Sequence, residues 1–182
     1  MLKQYAIINA IEKITSHPNR SFSVREFAKF SNLSPAMAGR ALEYMKNEGI
    51  VTLKQIGRTY QYKADLSSPL CRHWKILINL QKISASGLAE KAKKTMPDIF
   101  SILVYGSMAR GTNDEKSDVD LLIISHSPQK LPPDFLGALG GDVNISLLSL
   151  LQWKKKAGED KVFYDNVIYD SIVLYGEKPV IF

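Results

Sequence analysis

The chain has 182 residues and a mass of 20.4 kDa, with 45% hydrophobic and 23% charged residues. This is the composition of an ordinary folded protein, and it excludes a disordered, collagen-like or low-complexity chain. The length suits one large or two small domains, because single domains cluster near roughly 100 to 150 residues. The sequence lacks both a long apolar run and a secretory signal, so we expect a soluble, cytoplasmic protein without a membrane partner.

Positive charge is concentrated in the first third of the chain. Residues 1–65 contain ten basic and five acidic side chains, a net charge of +5, whereas residues 66–182 contain 14 and 13, a net charge of +1. Lys and Arg gain affinity for nucleic acids by displacing counterions from phosphates. The segregation therefore favours a nucleic-acid-binding module at the N-terminus, with a basic surface that binds no ligand as the alternative on charge alone.

The first helices are predicted by apolar spacing and by capping residues. Apolar residues at nearly helical spacing over residues 2–16 predict the first helix. For a second helix, Ser23 and Glu26 have the spacing of a capping box. Phe22 and Phe27 are placed to form a hydrophobic staple across its start.

A third helix and a hairpin complete the first 65 residues. Ser34 is the expected N-cap of the third helix and Pro35 its first residue. Its buried stripe is predicted to consist of Met37, Ala38, Ala41, Leu42 and Met45. Two β-rich runs, 50–54 and 59–63, flank a break at Gly57-Arg58 and predict a hairpin.

This order of elements resembles the winged helix-turn-helix domain over residues 1–65. In that family the third helix enters the major groove of DNA and the hairpin, or wing, contacts the flanking backbone. The resemblance implies that Arg40 faces the bases, with help from Ser34 and Ala36. It also implies phosphate contacts from the wing residues Lys54, Arg58 and Lys63. Winged helices also serve as dimerisation or protein-docking modules, and that alternative stays open.

The segment Asp65-Leu66-Ser67-Ser68-Pro69 is polar and ends in proline, so it predicts a boundary between domains 1–65 and 66–182. Helices are predicted over about 70–82 and over 84–95. The first has a broader apolar face than one small domain can cover, which predicts packing against both domains or against a second subunit. This apolar helix, together with the habit of winged helices to pair on two-fold sites, is the basis for expecting a homodimer. Cys71, the single cysteine, lies in an apolar context and is expected to be a buried structural thiol.

The most informative stretch follows a predicted strand over residues 99–105. This strand runs directly into Gly106-Ser107-Met108-Ala109-Arg110-Gly111, and after a polar loop Asp118-Val119-Asp120 begins a second apolar strand. Strand residues two apart point to the same face, so the two carboxylates are predicted to lie together. Hard divalent cations with oxygen ligands are the usual means of offsetting such paired charges. Because the glycine-serine turn offers amide donors and a hydroxyl to phosphates, the stretch predicts a site for a metal-bound triphosphate.

Gly-Ser, ten intervening residues and Asp-x-Asp between apolar strands resemble the nucleotidyltransferases of the DNA polymerase β superfamily. Residues 70–182 are most similar to the minimal nucleotidyltransferases. Arg110-Gly111 fits the family's continuation of the turn, although Met108 stands where a basic residue is common. The segment 172–176 resembles the family's closing strand.

The resemblance implies transfer of a nucleoside monophosphate from an NTP to an acceptor, with release of pyrophosphate. It also implies that Asp118 and Asp120 bind Mg²⁺ or Mn²⁺ and that Gly106 and Ser107 hold the β and γ phosphates. Arg110 either assists with the phosphate charge or forms a salt bridge with the acidic loop.

The expected third carboxylate is missing from its position on a later strand. The best register places Asn144 there, and an amide cannot accept a proton as a base and is a weaker metal ligand than a carboxylate. Asp142 lies two residues earlier on the same strand face. It either substitutes as the third acid or is a turn residue after two glycines. In the second case the site binds Mg-NTP but transfers slowly or not at all.

The sequence thus predicts an α+β protein, with an N-terminal winged helix-turn-helix followed by a linker helix and a small mixed-sheet nucleotidyltransferase domain. The leading hypothesis is a Mg-dependent nucleotidyltransferase coupled to DNA binding, with Asp118, Asp120 and Asp142 as catalytic carboxylates. The alternative is a non-enzymatic transcription regulator, or an antitoxin-like protein with a protein partner, that has a degenerate, nucleotide-sensing transferase fold.

Overall fold

The structure, a computed structural model, describes residues 5–128, 131 and 142–181. The chain divides between Ile78 and Asn79 into two compact units. That residues 1–65 and 66–182 fold as independent domains stays a prediction. Within the described residues, every helix is too short or too polar to cross a membrane.

Within its described residues, the first unit contains three complete helices, the beginning of a fourth and a three-stranded antiparallel sheet. Its elements, up to the helix that crosses the division, are α1 (Ala6–Thr15), β1 (Ser21–Phe22), α2 (Val24–Ser31), α3 (Pro35–Asn47), β2 (Val51–Ile56), β3 (Thr59–Ala64) and α4 (Pro69–Ala85). The strand order of the sheet is β1-β3-β2. The predicted helices and hairpin are therefore confirmed. β1, a two-residue strand that pairs with β3, was not predicted.

Local side-chain contacts explain where α2 begins. The backbone N–H of Glu26 donates to Ser23 Oγ at 3.3 Å, and the Glu26 carboxylate accepts from the backbone N–H of Ser23 at 2.8 Å. The rings of Phe22 and Phe27 pack edge to face, 5.4 Å between centroids, which confirms the predicted staple. Hydrogen bonds from the backbone N–H and then the hydroxyl of Ser23 lower the pKa of Glu26 below its ordinary value.

The predicted buried stripe of α3 is wrong at one residue. Met37 is 41% exposed, whereas the other four predicted positions are buried. Those four follow the pattern i, i+3, i+4, i+7 and complete a stripe about 100° wide. Met37 lies outside its edge, on the same side of the helix as the exposed Tyr44. The N-cap is confirmed, since Ser34 Oγ accepts from the backbone N–H of Met37 at 3.3 Å.

The helices after the hairpin have different bounds from those predicted. α4 continues to Ala85, and Gly87 then adopts a left-handed conformation with φ +68° before the next helix begins at Leu88. The glycine ends the first helix and starts the second, so the helix predicted over 84–95 is shorter. Cys71 on α4 is fully buried in the core of the first unit, and this burial raises its pKa, as expected for a structural thiol.

In its described residues, the second unit is built on a four-stranded mixed sheet. The described elements that follow α4 are α5 (Leu88–Thr95), β4 (Ile99–Tyr105), α6 (Gly106–Arg110), β5 (Val119–Ser125), β6 (Val143–Ser149), α7 (Leu150–Glu159), α8 (Lys161–Asp170) and β7 (Ile172–Gly176). The strand order of the sheet is β6-β5-β4-β7. β5 and β6 run parallel, while β4 is antiparallel to both of its neighbours. The predicted mixed sheet and closing strand are confirmed.

Both faces of this sheet are covered, which is why its central strands are almost continuously apolar. One apolar cluster joins α4 and α5 to alternate residues of the central strands, including Ile102, Val104, Leu121 and Ile123. The other joins α7 and α8 to the residues between them, including Leu103, Leu122 and Ile124.

The strand directions bring polar chain segments to one end of the sheet. Tyr105, the last residue of β4, lies opposite Asp120 near the start of β5, and Asp120 lies beside Asn144 near the start of β6. β7 also begins at this end, since Ile172 pairs with Val104. The glycine-serine turn and both aspartates therefore meet at a single edge of the sheet.

Candidate active site

The glycine-serine turn begins with a residue that only glycine fits. Gly106 has φ +70°, and a methyl group built on it would overlap Asp120 Oδ2 and lie 3.3 Å from Asp120 Cγ. The left-handed backbone favours glycine, and the neighbouring carboxylate leaves no room for a side chain. The turn ends at Gly111, also left-handed, after which the backbone N–H of Thr112 donates to Ser107 O at 3.0 Å. The backbone of Gly106 therefore directly contacts an aspartate of the next strand.

The two aspartates converge on one amide group. Asn144 Nδ2 donates to Asp118 Oδ2 at 3.0 Å and to Asp120 Oδ1 at 3.3 Å. The parallel register of β5 and β6 produces this contact, because it places Asn144 directly beside Asp120. The two hydrogen bonds offset part of the repulsion between the carboxylates. Two carboxylate oxygens thus lie within reach of a single point, an arrangement that fits a hard cation.

Asp142 does not join Asp118 and Asp120 as a third metal ligand. It is exposed, and its backbone carbonyl accepts from the N–H of Val119 at 2.9 Å. In the part of the chain that the structure describes, His, Cys, Asp and Glu form no group of three or more that could hold a metal ion. Mg²⁺ commonly binds through one or two carboxylates together with substrate phosphates. Asp118 and Asp120 therefore fit a cation that is bound together with a triphosphate better than an isolated ion.

Ser107 and Arg110 lie on the short helix after the glycine. Ser107 is half-buried, whereas Arg110 is exposed and its guanidinium lies 3.3 Å from the carboxylate of Asp170 at the end of α8. The sequence suggests the acidic loop as a salt-bridge partner of Arg110, and the structure pairs Arg110 with Asp170 of α8. The acidic loop forms its own turn, in which the backbone N–H of Asp114 donates to Ser117 Oγ at 2.8 Å.

Sequence reasoning missed two asparagines that hold this region. Asn79 on α4 donates to the backbone carbonyl of Met108 at 3.0 Å and to Asn113 Oδ1 at 2.9 Å, and all of these atoms are buried. An asparagine between Ile78 and Leu80 in an otherwise apolar stretch was the available signal. A buried amide in such a place is normally satisfied by hydrogen bonds.

The proposed DNA-contacting residues all lie in the first unit. Arg40 is exposed on α3, as is Ala36, while Ser34 caps that helix. Lys63 on β3 pairs directly with Thr52 on β2, so these two side chains lie on the same face of the hairpin. Lys54 follows Thr52 by two residues on β2, and it therefore lies on that face too. Arg58 lies in the turn at its tip.

Two solved structures are similar to part of this chain. No curated protein matches this sequence. The chain shares 22% identity with a crystal structure of a toxin–antitoxin with AMP-PNP, over 55% of this chain and 75% of that one, with a TM-score of 0.39. It shares 15% identity with a protein from Sulfolobus solfataricus assigned as a nucleotidyltransferase, over 58% and 87% of the two chains, with a TM-score of 0.35.

The family model described as the nucleotidyltransferase domain matches residues 86–178. This segment is just over half of the chain, and it contains the glycine-serine turn, both aspartates and all four strands of the mixed sheet. The chain therefore belongs to the nucleotidyltransferase domain family.

Proposed function

We propose that this protein is a Mg²⁺-dependent nucleotidyltransferase that transfers a nucleoside monophosphate from an NTP to an acceptor. The observation that carries the proposal is the convergence of the Asp118 and Asp120 carboxylates beside the Gly106 backbone, within a domain of this family. In the reaction, the acceptor oxygen forms a bond to the α-phosphorus. The bond from that phosphorus to the bridging oxygen breaks, and pyrophosphate leaves.

Each residue of the site has a proposed role. Asp118 and Asp120 hold Mg²⁺ or Mn²⁺, which when bound neutralises charge on the triphosphate. Gly106 and Ser107 contact the β and γ phosphates, because the turn offers backbone N–H donors and the serine offers a hydroxyl. Asp142 is the proposed acceptor of the proton released by the attacking group, since Asn144 cannot take it.

The test is a calorimetric titration of Mg-ATP and the other NTPs into the natural protein and into an Asp118→Asn/Asp120→Asn double variant. We expect Mg-dependent binding by the natural protein and its loss in the variant. A Glu159→Gln/Asp165→Asn variant removes two carboxylates from α7 and α8 and serves as the charge-matched control. Full NTP affinity in the Asp118/Asp120 variant would contradict the site assignment.

A second candidate is a nucleotide-sensing regulator without transferase activity. The observation that favours it is Asn144, whose amide occupies the position next to both carboxylates where a third acid is expected. Such a protein binds Mg-NTP and transfers nothing. Transfer that appears only after Asn144→Asp would support this candidate, and robust transfer by the natural protein would exclude it.

We also propose that the first unit is a winged helix-turn-helix that binds DNA. The proposal is supported by the net charge of +5 over residues 1–65, the exposed Arg40 on α3, and the shared face of Lys54 and Lys63. An Arg40→Ala variant should bind DNA more weakly, and Lys54→Ala should reduce the salt dependence of binding, because each phosphate contact contributes to its slope. Lys13→Ala on α1 removes the same charge as a control. An unchanged salt-dependent gel shift in both test variants would contradict the proposal.

We propose a homodimer on the basis of α4. Leu70 and Leu77 lie seven residues apart on one face of this helix, and both are exposed. A homodimer that uses this face would bury them, whereas a solvated monomer leaves them in water. Sedimentation of the natural protein and of a Leu70→Lys/Leu77→Lys variant tests the proposal. We expect a dimer and a monomer respectively, and a natural monomer would contradict it.

A further inference from the structure

Asn79 is a buried amide on α4 that uses both of its N–H groups. It is only 6% exposed, and Nδ2 donates to the backbone carbonyl of Met108 at 3.0 Å and to Asn113 Oδ1 at 2.9 Å. Each of these bonds connects residues that are far apart in the chain. The amide therefore holds two points of the second unit with one rigid group.

The two acceptors lie on either side of the end of the glycine-serine turn. Met108 belongs to α6, a helix of five residues, so its carbonyl has no partner within the helix and needs one from outside. Asn113 lies in the loop that leads to Asp118 and is only 8% exposed. Asn79 thus joins the helix that carries Ser107 to the loop that carries the first carboxylate.

Several other bonds of this loop are local. The backbone N–H of Thr112 donates to Ser107 O, and the side chain of Ser117 donates to Asp114 Oδ1 at 3.0 Å. Such bonds shape the loop but do not tie it to another element. The bonds of Asn79 reach across 29 and 34 residues, and they tie both the turn and the loop to α4.

We propose that Asn79 is a positioning residue of the nucleotide site, which sets the distance between the Ser107 turn and the Asp118 carboxylate. This inference rests on the proposed function, because the two groups it positions are those assigned to the triphosphate and to the cation. Asn79 acts through Met108 and Asn113 and touches neither ligand. Without it, the Met108 carbonyl and Asn113 Oδ1 would lose a buried donor, so the loop would shift to satisfy them.

The experiment compares Asn79→Leu, which keeps the approximate size of the side chain, with Asn113→Ala and the double variant. Ser125→Ala is the matched control, because Ser125 is fully buried at the other end of β5 and donates to Asp98 Oδ1 at 2.8 Å. It loses a buried hydrogen bond of the same unit away from the site. Mg-ATP affinity is measured by calorimetry, and amide hydrogen exchange is measured over residues 108–117.

We expect Asn79→Leu to weaken Mg-ATP binding at least tenfold and to accelerate exchange over residues 108–117, while Ser125→Ala changes neither. Asn113→Ala should have a smaller effect of the same kind, because it removes only one of the two bonds. The double variant should bind no worse than Asn79→Leu, because Asn79→Leu already removes the bond that the two residues share. Unchanged exchange, unchanged affinity, or an equal loss in Ser125→Ala would overturn the proposal. If the natural protein binds no NTP, the proposed function fails, and the exchange measurement alone decides whether Asn79 positions this loop.

Discussion

Gly106 lies directly against the carboxylate of Asp120, at the point where β4 ends and β5 begins. The backbone of the glycine is left-handed, with φ +70°, and Asp120 occupies the space that a side chain would need. The turn and the carboxylate are consequently one structural feature. Any residue at 106 that has a Cβ must displace Asp120 or the turn.

Gly106→Ala should abolish Mg-NTP binding. The substitution combines a left-handed backbone, which costs an L-residue about 1 to 2 kcal/mol, with a clash at Asp120. Gly87→Ala is the control, because Gly87 has φ +68° and no atom within 4 Å of an added Cβ. It should lose about 1 to 2 kcal/mol of unfolding free energy and keep its affinity for NTP. Calorimetry measures the affinity for NTP, and urea unfolding measures the unfolding free energy. Normal NTP binding by Gly106→Ala would contradict the site geometry.

Asn144→Asp should make the stability of the protein depend on divalent cations. The change removes the amide that bridges Asp118 and Asp120 and adds a third carboxylate beside them, so repulsion should lower the melting temperature in metal-free buffer. Mg²⁺ or Mn²⁺ should restore it, since a ligand at about 100 times its Kd stabilises the folded state by roughly 2.7 kcal/mol. Asn144→Ala is the control, because it removes the amide without adding charge. If no divalent cation changes the melting temperature of Asn144→Asp, the proposed metal-binding role of Asp118 and Asp120 is contradicted.

The parts of the structure that could be predicted from sequence are those encoded by nearby residues. Ser23 and Glu26 are three residues apart and form the predicted capping box, and the two-residue spacing of Asp118 and Asp120 correctly predicts that their carboxylates lie together. Asn144 is farther along the chain. The family resemblance places it at the position of the third carboxylate, and in the structure it lies beside Asp120.

Contacts between distant residues could not be predicted in this way. The bonds of Asn79 span 29 and 34 residues, and the pair of Arg110 with Asp170 spans 60. These contacts depend on how α4 and α8 pack against the sheet, which periodicity does not specify. Met37 was assigned to the core because it is apolar, although the helical stripe was already complete without it.

Asp170→Asn should separate the two roles of Arg110 that the sequence left open. Both members of this ion pair are more than one third exposed, so its loss should change the unfolding free energy by no more than about 1 kcal/mol. If Arg110 contacts the triphosphate, releasing it from Asp170 should raise Mg-NTP affinity, and Arg110→Ala should lower it. Calorimetry on both variants measures the effect. Equal affinities in the natural protein and both variants would limit Arg110 to its surface ion pair.

Glu26→Gln should make the stability of the first unit less sensitive to acid. Hydrogen bonds from Ser23 lower the pKa of Glu26 below 4.5 in the folded state. A carboxyl group with a depressed folded pKa stabilises the fold above its unfolded pKa, and this contribution is lost as the pH falls through the folded value. Glutamine keeps the acceptor for the Ser23 N–H but does not titrate. Urea unfolding at pH 7 and pH 3 should therefore show a smaller loss of stability in the variant, and an identical loss would exclude a contribution of the capping box to acid sensitivity.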